Sequence, residues 1–130
     1  MKESFTLKHQ FNVSPKVIYD HWLSSEGHTA MTGGEANYTA VVGDEFDAWD
    51  GYIQGRNLEL NENQTIIQSW RTSEFEEQDE DSKITIHLHP IDGGTKLELI
   101  HTNIPEGQTQ YVQGWMDHYF KPMEDYFHNK

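Results

Sequence analysis

The sequence contains no cysteine, which excludes disulfides, thiolate nucleophiles and Cys-ligated zinc, and fits a reducing, cytoplasmic setting. Positive charge is scarce: 9 Lys and Arg stand against 22 Asp and Glu, a formal net charge of −13 with histidine neutral. Binding a polyanion needs clustered Lys and Arg to displace condensed counterions. Here they are scattered, so nucleic acid is not an expected partner, and an acidic membrane surface would repel the chain for the same reason. Long apolar runs are missing too. No stretch approaches the roughly 20 residues that span a bilayer, and Met1–Lys8 alternates polar and apolar residues without the apolar h-region of a secretory signal. The glycosylation patterns at Asn12 and Asn37 accordingly carry little weight.

What is present argues for a packed core. Of 130 residues, 35% are hydrophobic and 12% aromatic, with four Trp, which does not describe a disordered acidic chain. The length suits one domain over residues 1–130.

Residues 4–13 place Phe5, Leu7, His9, Phe11 and Val13 on one parity and Thr6, Lys8, Gln10 and Asn12 on the other, the period of a half-buried strand. Ser14-Pro15 then supplies an N-cap with proline at the first helical position, predicting a helix to about Leu23. Ser24 to Thr32 reads as a second short helix stopped by Gly33-Gly34. Strands are expected near Tyr38–Val42, Glu45–Asp50, Tyr52–Asn61, Thr65–Thr72, Lys83–Pro90 and Thr95–Asn103, joined by short connections into an antiparallel meander. The acidic run Ser73–Ser82 reads as a solvated hairpin tip, without the ligand order of a calcium loop.

After Ile104-Pro105-Glu106-Gly107 the period becomes helical. Val112, Trp115, Met116, Tyr119, Phe120, Met123, Tyr126 and Phe127 form a broad apolar stripe. A stripe this wide must lie on something large, and the concave face of the meander is the one candidate. The expected architecture is α+β: a curved antiparallel sheet around a long C-terminal helix, with two short helices after the first strand. Pro122 falls inside that helix and presses on the carbonyl of His118, so a kink is expected there.

Five fragments in order carry a resemblance. They are Phe11 with Val13-Ser14-Pro15 and Val17-Ile18-Tyr19; Val42–Phe46 leading to Trp49–Ile53, Gly55-Arg56 and Leu58–Leu60; Ile67 with Trp70-Arg71; Gly94-Thr95, Leu97, Leu99 and His101; and Gly114-Trp115 with His118–Phe120. Together they resemble the C-terminal domain of the co-chaperone that activates the ATPase of heat-shock protein ninety, within the START and Bet v1-like helix-grip superfamily. The resemblance covers nearly the whole chain. It implies a helix-grip fold, and the superfamily's shared device is a cavity between sheet and long helix for a lipid, polyketide or other apolar ligand. It also implies a chaperone as a protein partner, although much of the eukaryotic co-chaperone's chaperone contact comes from an N-terminal domain that these residues do not include.

The candidate lining follows from parity. Leu97, Leu99 and His101 share one side of their strand, and Ile84, Ile86 and Leu88 the inner side of theirs. His9, Phe46 and Trp70 from the sheet and Trp115, Tyr119 and Met123 from the helix complete the set. These side chains either interdigitate and close the space or leave a ligand site. A lone histidine on an apolar strand face is more often a satisfied core residue than a base, and no acidic orienter for His9 or His101 stands near them in sequence.

Other groupings point away from chemistry. His87 and His89 lie about 7 Å apart on one strand side, opposite Ile84, Ile86 and Leu88 and hence toward solvent, without a third metal ligand. Asp44, Asp47 and Asp50 recur every third residue, which a strand sends to alternating faces. Gly33-Gly34 and Gly93-Gly94 lack a phosphate-loop context, and no Gly-x-Ser-x-Gly elbow occurs. No catalytic residue, metal or cofactor is therefore assigned. The favoured expectation is non-catalytic binding of a small apolar molecule, oriented by His9, His101, Tyr119 or Trp70. A chaperone-facing interaction module using the sheet face or the acidic 74–81 tip is the alternative. A cyclase or aromatase using cavity histidines comes last.

Overall fold

A computed structural model describes residues 2–128; Met1, which opens the alternating N-terminal stretch, lies outside them. The chain runs β1 (Glu3–Phe11), α1 (Pro15–Trp22), α2 (Ser25–Thr32), β2 (Ala36–Asn37), β3 (Glu45–Ala48), β4 (Ile53–Asn61), β5 (Thr65–Thr72), β6 (Ser82–Ile91) and β7 (Gly94–Ile104). A C-terminal helix follows as α3 (Tyr111–Trp115), a π-helical turn (Met116–Phe120) and α4 (Lys121–His128). Among the described residues no helix is long and apolar enough to cross a membrane.

Among the described residues, the seven strands form one antiparallel sheet in the order β1-β7-β6-β5-β4-β3-β2. Period-2 patterning aligns the inward side chains into rungs: Leu7, Leu99, Ile86 and Ile66 are paired across four strands, as are Phe5, His101, Ile84 and Gln68. The C-terminal helix crosses these rungs. Trp115 meets Trp70 of β5 at 5.5 Å between ring centroids, while Phe120 and Phe127 meet Phe11 of β1 at 6.3 and 6.2 Å. The expected helix-grip architecture is the observed one.

Local chemistry sets the helix ends as expected. The Ser14 hydroxyl accepts from the Val17 amide with Pro15 in the first turn, and Ser24 caps α2, which ends at Gly33 in the left-handed region (φ 84°). At Pro122, where a kink is expected, the structure has a π-helical turn immediately before the proline's own turn. The preceding turn widens, the Lys121 amide donating to the Met116 carbonyl five residues back. A π turn relieves the clash of a proline ring with the carbonyl behind it. The added residue lets neighbouring Tyr119 and Phe120 both face the core and turns Met116, expected in the apolar stripe, outward at 47% exposure.

Two expected elements are built otherwise. Residues 38–42 are a loop, not a strand, with Val41 and Val42 exposed. The buried Asn57 side chain replaces a ladder there, its amide donating to the carbonyls of Thr39 and Val41. Asn57 is held by Gln68, which in turn accepts from the Trp22 indole, so one polar chain runs from α1 through the sheet to this loop. The 73–81 segment is pinned rather than simply solvated. Phe75 is buried against Trp70 and Tyr111, and Arg71 donates to the carbonyls of Glu76 and Asp79 and to the Asp81 carboxylate. One aromatic anchor and one guanidinium fork offset the repulsion that composition alone predicts.

Candidate functional site

A cleft of about 450 Å³ lies between the β3–β4 turn, Trp70 of β5 and the first turns of the C-terminal helix. Its lip is the β3–β4 turn. Trp49, Asp50 and Gly51 are all left-handed there (φ 55°, 57° and 86°), a conformation that a bulky residue such as Trp rarely adopts and that costs about 1–3 kcal/mol. The turn lays the Trp49 ring over Gly34, where an added Cβ would come within 2.4 Å of it, and brings its edge to His118 at 5.5 Å between centroids. The Trp49 indole N–H is shielded from solvent and has no acceptor among the described residues.

Trp70 from β5 and Tyr111, Trp115 and Tyr119 from the helix form the inner wall. The Trp70 ring meets Tyr111 edge-on at 5.0 Å, and Trp115 contacts Tyr119 at 4.7 Å. Helical spacing produces this: positions 111, 115 and 119 are four apart and share a face. Gly114 borders the opening, and a Cβ built there would meet nothing within 4 Å. The rim is polar, with Gln113 donating to Asp117 at 2.9 Å.

Two buried histidines tie this wall to its surroundings. The Trp115 indole donates to His101 Nδ1 at 3.0 Å, so the proton of the neutral ring sits on Nε2 and donates to Ser82 Oγ at 2.9 Å. Ser82 donates onward to the Trp70 carbonyl. His28 is held the other way round. Its Nδ1–H donates to the Trp22 carbonyl at 2.9 Å, leaving Nε2 to accept from the Tyr119 hydroxyl at 2.7 Å. Burial pushes His101 down to about 3 and His28 down to about 4, because an apolar interior disfavours the charged ring. Burial likewise raises the Tyr119 phenol above its ordinary value. Both rings are thus neutral spacers that lock the wall in place.

A family model described as "Activator of Hsp90 ATPase homolog 1-like protein" matches residues 12–128. The chain belongs to this family. A Dictyostelium discoideum protein named activator of 90 kDa heat shock protein ATPase homolog is 29% identical over 87% of this chain and 30% of its own length; the human homolog 1 is 31% identical over 94% and 36%. The chain therefore spans about a third of the length of these relatives. Solved structures agree on the fold. An HSP90 activator from Plasmodium falciparum superposes with a TM-score of 0.79 at 24% identity, covering 91% of this chain and 90% of that one. Ara h 8.0201 superposes with a TM-score of 0.76 at 16% identity over 100% of both chains.

Within this family member, the residues expected to line a cavity divide by place. Trp70, Trp115 and Tyr119 border the cleft. His101 stands behind that wall, bonded to Trp115, and does not border it. Ile86, Leu97, Leu99 and Met123 are fully buried in the close-packed core. Phe46 stacks on Tyr38 at 4.7 Å, and Tyr38 on His28 at 3.9 Å. His9 lies at the β1 end, stacked on Phe120 and 2.6 Å from the Glu124 carboxylate, an acidic partner 115 positions away that local sequence does not reveal.

His87 and His89 sit with ring centroids 6.0 Å apart on the outer sheet face, and no group of three or more potential metal ligands occurs among the described residues. Asp44 and Asp47 accept from Thr39 and Asn37 instead of converging. The reading from sequence missed Trp49, Tyr52, Tyr111, Gly114 and His28. Tyr111 was accessible through its i, i+4, i+8 relation to Trp115 and Tyr119. Trp49 was not, because its position depends on a left-handed turn.

Proposed function

We propose that this protein binds a small, predominantly apolar molecule in the cleft between the β3–β4 turn and the C-terminal helix, with no covalent step. The observation that carries the reading is an aromatic-walled opening of about 450 Å³ beside Gly114, a size within the roughly 300–1,000 Å³ of small-molecule sites. The strained backbone of Trp49 at its lip supports it, since such strain clusters at functional sites. Native mass spectrometry of the protein purified from its own host, beside a Gly114→Phe variant, tests it. The expected result is a retained small molecule in the parent and none in the variant, whose ring would occupy the cleft. Equal retention by both would overturn the reading.

A chaperone partner is the second reading, favoured by relatives named as activators of a heat-shock protein ATPase. The acidic residues presented on the pinned 73–81 loop suit a basic surface. Co-precipitation with a purified 90 kDa heat-shock protein, weakening as salt is raised, would support it; no binding with or without nucleotide would remove it.

A further inference from the structure

Among the described residues that line the cleft Asp117 is the one carboxylate, His118 is the one basic side chain, and none is Lys or Arg. Further carboxylates stand close by in sequence. Asp50 is exposed in the turn that carries Trp49, and Glu74 accepts from the hydroxyl of the lining residue Tyr52. The nearby cation Arg71, at the end of β5, is engaged with Asp81 and with the carbonyls of Glu76 and Asp79. The whole chain adds a formal −13.

Four hydroxyl and indole donors of the wall are already engaged within the protein. Tyr52 donates to Glu74, Tyr111 to Gln108 at 2.8 Å, Tyr119 to His28 and Trp115 to His101. The inner wall is otherwise aromatic, and the face of an aromatic ring attracts positive charge through its quadrupole.

We propose that the cleft selects an apolar organic cation, an amine or quaternary ammonium on an aromatic or alkyl skeleton, over the carboxylate of the same skeleton. This rests on the cleft being the binding site. The experiment titrates (2-naphthylmethyl)trimethylammonium, 2-naphthylmethanol and 2-naphthylacetate by calorimetry at low salt, with the tryptophan indole N–H resonances recorded in parallel. The cation is expected to bind about tenfold or more tighter than the acetate, shifting the Trp49 and Trp115 indoles. Asp117→Asn, an exposed change, should narrow that gap, and added salt should weaken the cation more than the alcohol. Acetate or alcohol binding as tightly as the cation, with those indoles shifting, would keep the cleft and overturn the charge selection. A cation preference that leaves the indoles unmoved and survives Asp117→Asn would place binding elsewhere and overturn it as well. No indole response to any probe would overturn the cleft reading itself.

Discussion

Acid should loosen this fold through His28 and His101, and the size of the effect follows from their burial. Both rings are fully shielded and neutral in the native state, lowered from 6.5 to about 4 and about 3 respectively. Above pH 6.5 neither state is protonated at these sites and stability is at its full value. As pH falls below 6.5 the unfolded chain takes up protons that the folded chain refuses, so stability declines until the native values near 4 and 3 are reached. At about 1.4 kcal/mol per pH unit and site, each histidine contributes a loss of about 2 kcal/mol by pH 5, or about 4 kcal/mol together. Against a typical total of about 5–15 kcal/mol that is a large share. Urea denaturation at pH 7 and pH 5 measures it, read as a shift in midpoint at constant slope. His28→Gln and His101→Gln supply the control, because they share the parent's carboxylates and differ only in the titrating ring. Each should lower stability at pH 7 yet flatten the decline toward pH 5. A double variant that declines as steeply as the parent would refute the assignment.

Two glycines should respond to alanine with opposite signs. Gly114 lies in the helix with open space where a Cβ would go, so Gly114→Ala should raise the unfolding free energy by about 0.5–1 kcal/mol. At Gly55 the same Cβ would come within 1.9 Å of the Ser69 carbonyl oxygen and 2.5 Å of the Phe46 ring, so Gly55→Ala should cost about 3 kcal/mol or more; equal midpoints in the two variants would contradict both. Arg71→Ala should release the 73–81 loop from its guanidinium contacts, seen as limited proteolysis within that loop while the circular dichroism of the sheet is retained. A loop as protease-resistant as the parent's would show that Phe75 alone suffices to hold it.

Much of the architecture was legible because its causes are local. The parity of Phe5, Leu7 and Phe11, the Ser14-Pro15 cap and the Gly33 stop each act within a few residues, and β5 spans Thr65–Thr72 as read from the sequence. The exceptions have distant causes. Val41-Val42 has strand propensity, but the carbonyls beside it are satisfied by Asn57, 16 and 18 positions downstream. The acidic 73–81 run is held by Arg71 and by Phe75 packing on Tyr111, and its charge pattern contains neither contact.

The sequence by itself determined the order of strands and helices and the faces they bury, since a period of 2 or 3.6 residues dictates which side chains share a surface. It also determined the acidity and the aromatic supply of the cleft. Only the tertiary structure decided which inward side chains border empty space and which close it. Leu97, Leu99 and Trp115 all face the interior, yet only Trp115 meets the cleft. A void is what remains after remote segments pack, in this case a left-handed turn at Trp49 and the start of the helix after Gln110, and no local pattern encodes that remainder. The protonation of His28 and His101 was decided in the same way, because a tautomer is set by whichever donor and acceptor the fold brings to the ring.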